Sequence, residues 1–163
     1  METDSPDDQL QEFWNQAQRH AHVGDLDVVM GKSWGESLAP PAWSFTGSVE
    51  EADELLAQVL SGEKTAIAGL AEEYEDEPLP KKGDLSIILD AEGTPRALIM
   101  TTKVLVVPFG EITSDQAIAE GANDLDSWRA SHRTFWEHES YEITDGTRVV
   151  WEQFTVVYAE PRG

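Results

Sequence analysis

Ser61-Gly62-Glu63-Lys64-Thr65-Ala66-Ile67-Ala68-Gly69 closes one regular element and opens the next. Upstream, Ser48 and Glu51 have the spacing of a capping box, which predicts a helix from about Val49. Ala52, Leu55, Leu56, Val59 and Leu60 recur at three and four and give that helix one apolar stripe. Gly62 stands where a left-handed C-terminal cap is wanted. The small and β-branched residues after Lys64 read as a strand. Lys64 therefore occupies a helix-to-strand corner, near helix-terminal carbonyls that favour a positive charge. The expectation is an exposed side chain aimed into a polar cleft, whose removal leaves the fold intact. Regular alternation would send Thr65 to the opposite face.

Downstream, Lys81-Lys82-Gly83-Asp84 is a turn feeding a strand at Leu85–Leu89, and Ala91–Thr94 is a hairpin-length connection. Arg96–Val107 is a long β-branched run, so Asp84–Val107 reads as an antiparallel hairpin. Thr113 and Gln116 repeat the capping-box spacing, and Gly121 stops the short helix they begin. A second helix starts near Asp124 or Asp126, with Leu125, Trp128, His132, Phe135 and Trp136 expected on one side. His132 reads there as a satisfied, half-buried histidine. Arg148–Tyr158 alternates as a long terminal strand. The acidic run Glu72–Glu77 reads as a solvated loop.

Upstream of the central stretch, Trp43-Ser44-Phe45 puts two aromatic rings on one side of an extended segment, either as a lid on the core or as a stacking wall for a planar base. A helix follows Asp7 and Asp8, with Leu10, Phe13, Trp14, Ala17 and Ala21 on one face. A short strand is possible at Leu26–Met30. His20 and His22 are two apart, a spacing that does not share a helix face, and no third ligand lies nearby, so neither a metal nor a cofactor is expected.

The 163 residues contain no cysteine, which excludes disulfides and zinc-thiolate sites. The acidic N-terminus lacks the apolar segment of a signal peptide, and no run approaches membrane-spanning length. The reading is a cytoplasmic protein with no membrane partner. The net charge is −21, and it is uneven. Residues 1–63 hold 2 basic and 13 acidic side chains, residues 64–103 hold 5 and 8, and residues 104–163 hold 4 and 11. The segment carrying Lys64 is the least negative. That distribution suits a small anionic or polar ligand better than long duplex DNA or a broad RNA footprint, which need many phosphate-neutralising cations.

Leu55–Ala66, Pro78–Asp84, Thr101-Thr102-Lys103-Val104, Val107-Pro108-Phe109 and Ala119-Glu120-Gly121, with Pro41–Phe45 upstream, together resemble the ASCH domain family of the PUA-like superfamily. The resemblance implies an α+β fold, a small β-barrel with flanking helices, over residues 41–163, with residues 1–40 as an extension carrying one helix. It implies a cleft around Lys64 that takes a nucleotide, a modified nucleoside or a short RNA. Lys64, Thr65, Trp43, Phe45 and Tyr74 are the ligand-binding candidates, and Lys64 with Glu120 the catalytic ones. Some members are ribonucleases and others deacetylate a modified cytidine. In the deacetylating members a lysine, a threonine three residues later and a glutamate do the work. Lys64 matches the first, Ile67 stands at the second and Ala122 at the third, unless a shifted helix end lets Glu120 serve. The binding module is therefore preferred, with a nucleoside amidohydrolase or ribonuclease as the alternative and a protein-interaction domain as a third possibility. Oligomeric state is not legible.

The charge argument has a direct check. A long mixed-sequence RNA or DNA titrated at about 0.15 M salt is expected to bind more weakly than about 10⁻⁶ M. Submicromolar affinity for a generic sequence would show that the field around Lys64 outweighs the global charge.

Overall fold

The computed structural model describes residues 6–20, 39–45 and 48–159. His22, Ala21, the possible strand at 26–30 and the turn at Thr46-Gly47 lie outside them. In chain order the elements are α1 (Pro6–His20), β1 (Ala42–Ser44), α2 (Val49–Ser61), β2 (Ala66–Leu70), a 3-10 turn (Ala71–Tyr74), β3 (Leu85–Leu89), β4 (Pro95–Pro108), a second 3-10 turn (Phe109–Glu111), α3 (Ser114–Ala119), α4 (Leu125–His138) and β5 (Arg148–Ala159). The strands form one mixed sheet in the order β1-β3-β4-β5-β2. β1 pairs parallel to β3, while β3–β4 and β2–β5 are antiparallel.

The chain divides into two compact units. The first comprises residues 1–60, 83–100 and 155–163. In it Phe13, Trp14 and Ala17 of α1 pack on Leu85, Ile87, Leu98 and Met100 of the β3–β4 hairpin, the face that the sequence periodicity assigns to α1. The capping box of α2 forms, with Glu51 N–H donating to Ser48 Oγ at 3.1 Å, and Ala52, Leu56 and Val59 are buried.

The second unit comprises residues 61–82 and 101–154. Its core joins Leu70, Phe109, Ile112, Ala117, Trp128, Trp136, Ile143 and Val149. α3 begins with the reciprocal Thr113–Gln116 box, and α4 begins on Asp124, whose carboxylate accepts from Ser127 N–H at 2.7 Å. Phe135 departs from expectation: it is exposed, while Trp128 and Trp136 of α4 are buried. The acidic run is also more than a solvated loop, since Glu73 Oε1 accepts from Leu70 N–H at 2.7 Å and closes the end of β2.

Both α3 and α4 end in the same six-residue hydrogen-bond pattern. After α3, Ala122 N–H bonds Ala117 O at 3.2 Å and Gly121 N–H bonds Ile118 O at 2.9 Å. After α4, Tyr141 N–H bonds Trp136 O and Ser140 N–H bonds Glu137 O, both at 3.0 Å. This double closure needs a left-handed residue at its fifth position. Gly121 supplies φ 93° and Ser140 adopts φ 75°. A Cβ in that region costs about 1–2 kcal/mol. Gly121→Ala is therefore expected to destabilise by about 1 kcal/mol and Ser140→Gly to stabilise by less than that, the glycine's own backbone entropy offsetting part of the gain. Urea unfolding midpoints of the two variants should move in opposite directions.

Candidate functional site

Six residues cannot satisfy the carbonyls at their own C-terminal end, so those of α3 must find partners elsewhere. Gln116 O accepts from the Trp151 indole N–H at 3.3 Å. Ala117 O and Ile118 O are taken by the closing turn. The last two are taken by the Lys64–Thr65 corner: Thr65 N–H donates to Ala119 O at 2.7 Å, and Lys64 Nζ donates to Glu120 O at 2.8 Å. Thr65 Oγ1 also lies 3.4 Å from Ala119 O. Lys64 does meet a helix-terminal carbonyl, that of Glu120 at the end of α3. Nor do Lys64 and Thr65 diverge. Both precede the first residue of β2 and both turn to the end of α3.

Lys64 is 7 % exposed, not the open cleft side chain expected from the corner. Burial pushes its ammonium below the usual lysine range, and the Glu120 carboxylate offsets part of that shift. Glu120 is 5 % exposed. Its Oε2 accepts from Trp128 Nε1 at 2.6 Å and its Oε1 lies 3.2 Å from His132 Nε2. His132 Nδ1 sits 3.0 Å from Trp128 O, and its ring stacks on Trp128 with centroids 4.3 Å apart. Lys64, Thr65 and Glu120, three of the sequence candidates, are thus brought together with two aromatic residues of α4. The part played by Trp128 was missed. Its only sequence signal is the four-residue spacing to His132, which puts both on one helix face.

The positions that the deacetylating pattern needs are otherwise occupied. Ala122 packs against the apolar core of this unit, where the closing turn of α3 puts it. Ile67 lies on β2 opposite Glu152. Glu120 is the carboxylate that the helix end presents beside Lys64.

Tyr74 lies over Gly69: a Cβ built on that glycine would stand 3.7 Å from the Tyr74 hydroxyl. Burial, followed by Glu152, Glu73 and Glu77, pushes the phenol above its usual value, so it stays a neutral donor. Trp43 and Phe45 belong to the first unit, half-buried and edge to face at 5.2 Å. Among the described residues, no group of three His, Asp or Glu side chains is arranged to hold a metal ion, and no helix is long and apolar enough to cross a membrane.

The sequence profile of the ASCH domain family matches residues 41–158. The chain belongs to the ASCH domain family. Two solved structures are similar over most of its length. Protein EF3133 from Enterococcus faecalis V583 is 31% identical, with 91% of this chain and 87% of that one covered and a TM-score of 0.76. The ASCH domain from Lactobacillus crispatus JV V101 is 26% identical, with 92% and 94% covered and a TM-score of 0.77. The comparison with curated proteins gives no match. The fold of this ASCH domain is the α+β, PUA-like kind that the sequence resemblance implied.

The lowered Lys64 pKa makes a signed prediction. Between its folded value and the usual 10.5 the unfolded chain binds more protons at this site, so the cost of burying the ammonium is relieved as pH rises through that window. Wild-type stability is expected to gain on Lys64→Met from about pH 7 to about pH 10 in urea unfolding. The raised Tyr74 phenol acts in both proteins and cancels in the difference. A difference that stays flat with pH would mean that the ammonium is not desolvated.

Proposed function

We propose that this ASCH domain binds a nucleotide, a modified nucleoside or a short RNA at the Lys64–Glu120 centre. One observation carries the reading: the Lys64 ammonium is buried, anchored on Glu120 O, with the Glu120 carboxylate held beside it. A cation and a carboxylate fixed side by side offer a donor and an acceptor to a polar ligand. Removed from bulk water, each interacts more strongly than on an open surface. Lys64 also falls in the least acidic segment of the sequence, residues 64–103. Tyr74 is proposed as a further ligand contact within the same unit, and Trp43 and Phe45 of the first unit, taken by themselves, as a stacking pair for a base.

A hydrolase on such ligands is the second reading, and the same lysine favours it. A lysine whose pKa is lowered by burial yields neutral amine more readily, and a neutral amine is a base or a nucleophile. Against amide hydrolysis stand Ile67, with no hydroxyl, and Ala122, with no carboxylate.

Calorimetric titration with cytidine, cytidine monophosphate, acetylated cytidine and a short single-stranded RNA tests both. At least one ligand is expected to bind wild type, and Glu120→Gln and Lys64→Met are each expected to weaken it by about tenfold or more. No binding to wild type, or equal binding by folded variants, would overturn the proposal. Chromatography of the same mixtures separates the two readings. Unchanged ligand supports the binding module, and turnover abolished by Lys64→Met supports the hydrolase.

A further inference from the structure

Glu120 ends a helix, and a carboxylate in that place is ordinarily free to turn. Here both oxygens have partners, Trp128 Nε1 donating to Oε2 and His132 Nε2 facing Oε1. The two partners stand four residues apart and project from one face of α4, so a single helix sets the carboxylate plane. Trp128 is fully buried, and the Glu120 side chain is 2 % exposed against 24 % for His132. Water is thus nearly excluded from the carboxylate but reaches the imidazole.

Stacking on Trp128 and the edge-to-face contact with Trp136 at 5.1 Å would be met by any flat ring at position 132. The nitrogens ask for more. Trp128 O is a main-chain carbonyl and only accepts, so Nδ1 carries a hydrogen. Nε2 then faces a carboxylate oxygen, and that contact is a hydrogen bond only when one proton lies between them, on the ring or on the carboxyl. Lys64 is bonded to the main-chain oxygen of the same residue, and the Glu120 carboxylate acts on its ammonium. The direction in which the carboxylate points thus decides how the negative charge stands against the buried ammonium.

We propose that His132 is a positioning residue for Glu120: through Nε2, rather than through ring stacking, it fixes the carboxylate beside Lys64 in the geometry that ligand binding uses. The inference rests on the reading of Lys64–Glu120 as the ligand centre. Its structural half, the fixing of the carboxylate, stands on the contacts alone.

Two substitutions separate the roles. His132→Phe keeps a flat ring and loses both nitrogens. His132→Gln loses the ring and keeps an N–H donor at similar reach. The first measurement needs no ligand: hydrogen exchange at the Trp128 indole N–H by NMR, with the signal assigned by Trp128→Phe and urea unfolding run in parallel to correct for global stability. With Nε2 gone, the carboxylate turns and the indole bond loosens. Exchange is expected to accelerate about tenfold or more in His132→Phe and to stay near wild type in His132→Gln. The second measurement is affinity for cytidine monophosphate, expected to fall in His132→Phe and to be rescued in His132→Gln. Wild-type exchange in His132→Phe, or equal acceleration in both variants, overturns the proposal. If wild type binds no nucleotide, the ligand reading fails while the exchange measurement still decides the positioning role.

Discussion

The second unit depends on how one short helix ends. α3 is six residues long, so most of its carbonyls lack a partner inside the helix. Two are closed by the turn through Gly121 and one by Trp151, and the last two are held by Lys64 and Thr65. Those last bonds join segments more than fifty residues apart in sequence. They also account for the position of Lys64. An ammonium is costly to bury without a partner. The C-cap carbonyl of Glu120 supplies one, and the C-terminal end of a helix is where a positive charge is favoured.

The same helix end fixes the counter-charge. Burying a lysine and a carboxylate together is seldom a net gain in stability, because desolvation cancels most of the attraction, whereas removing one partner from such a pair is strongly destabilising. Net stability alone therefore does not account for the burial of Lys64 and Glu120 together. Around Glu120 the desolvation is met by an indole N–H that donates at 2.6 Å and by an imidazole nitrogen at 3.2 Å. Around Lys64 burial still dominates its pKa. A net charge of −21 presses the same way on ligand choice, since an acidic surface repels polyanions while a buried, locally neutralised cation acts only on what enters its immediate surroundings.

Much of this was legible in the sequence because the signals are local. Ser48–Glu51 and Thr113–Gln116 mark helix starts through bonds spanning three residues, and Gly62 and Gly121 mark stops through a backbone angle that glycine adopts without strain. The alternation of Arg148–Tyr158 and the β-branched run before Val107 follow from side chains pointing to opposite faces of a strand. What was not legible is where distant pieces meet. That Lys64 closes α3 rather than pointing into open solvent depends on a contact between residues 64 and 120. No spacing encodes it. Phe135 stands seven residues after Trp128, close to two full turns, so periodicity alone groups it with the stripe although the structure leaves it exposed.

The position of the carboxylate shows why transfer of function by aligned residue is weaker here than transfer by geometry. In the double closure that ends α3, Glu120 is the cap, Gly121 takes the left-handed angle, and Ala122 is turned back toward Ala117 and the apolar core. Any carboxylate at position 122 would have to leave that core or abandon the closure that satisfies Ala117 O. At position 120 the side chain instead projects from the helix end toward the indole and imidazole of α4, while its own carbonyl holds Lys64. The two residues are neighbours in sequence, yet only one of them can be both buried and fully hydrogen-bonded. That constraint is what holds a lysine and a glutamate in fixed relation at the end of α3.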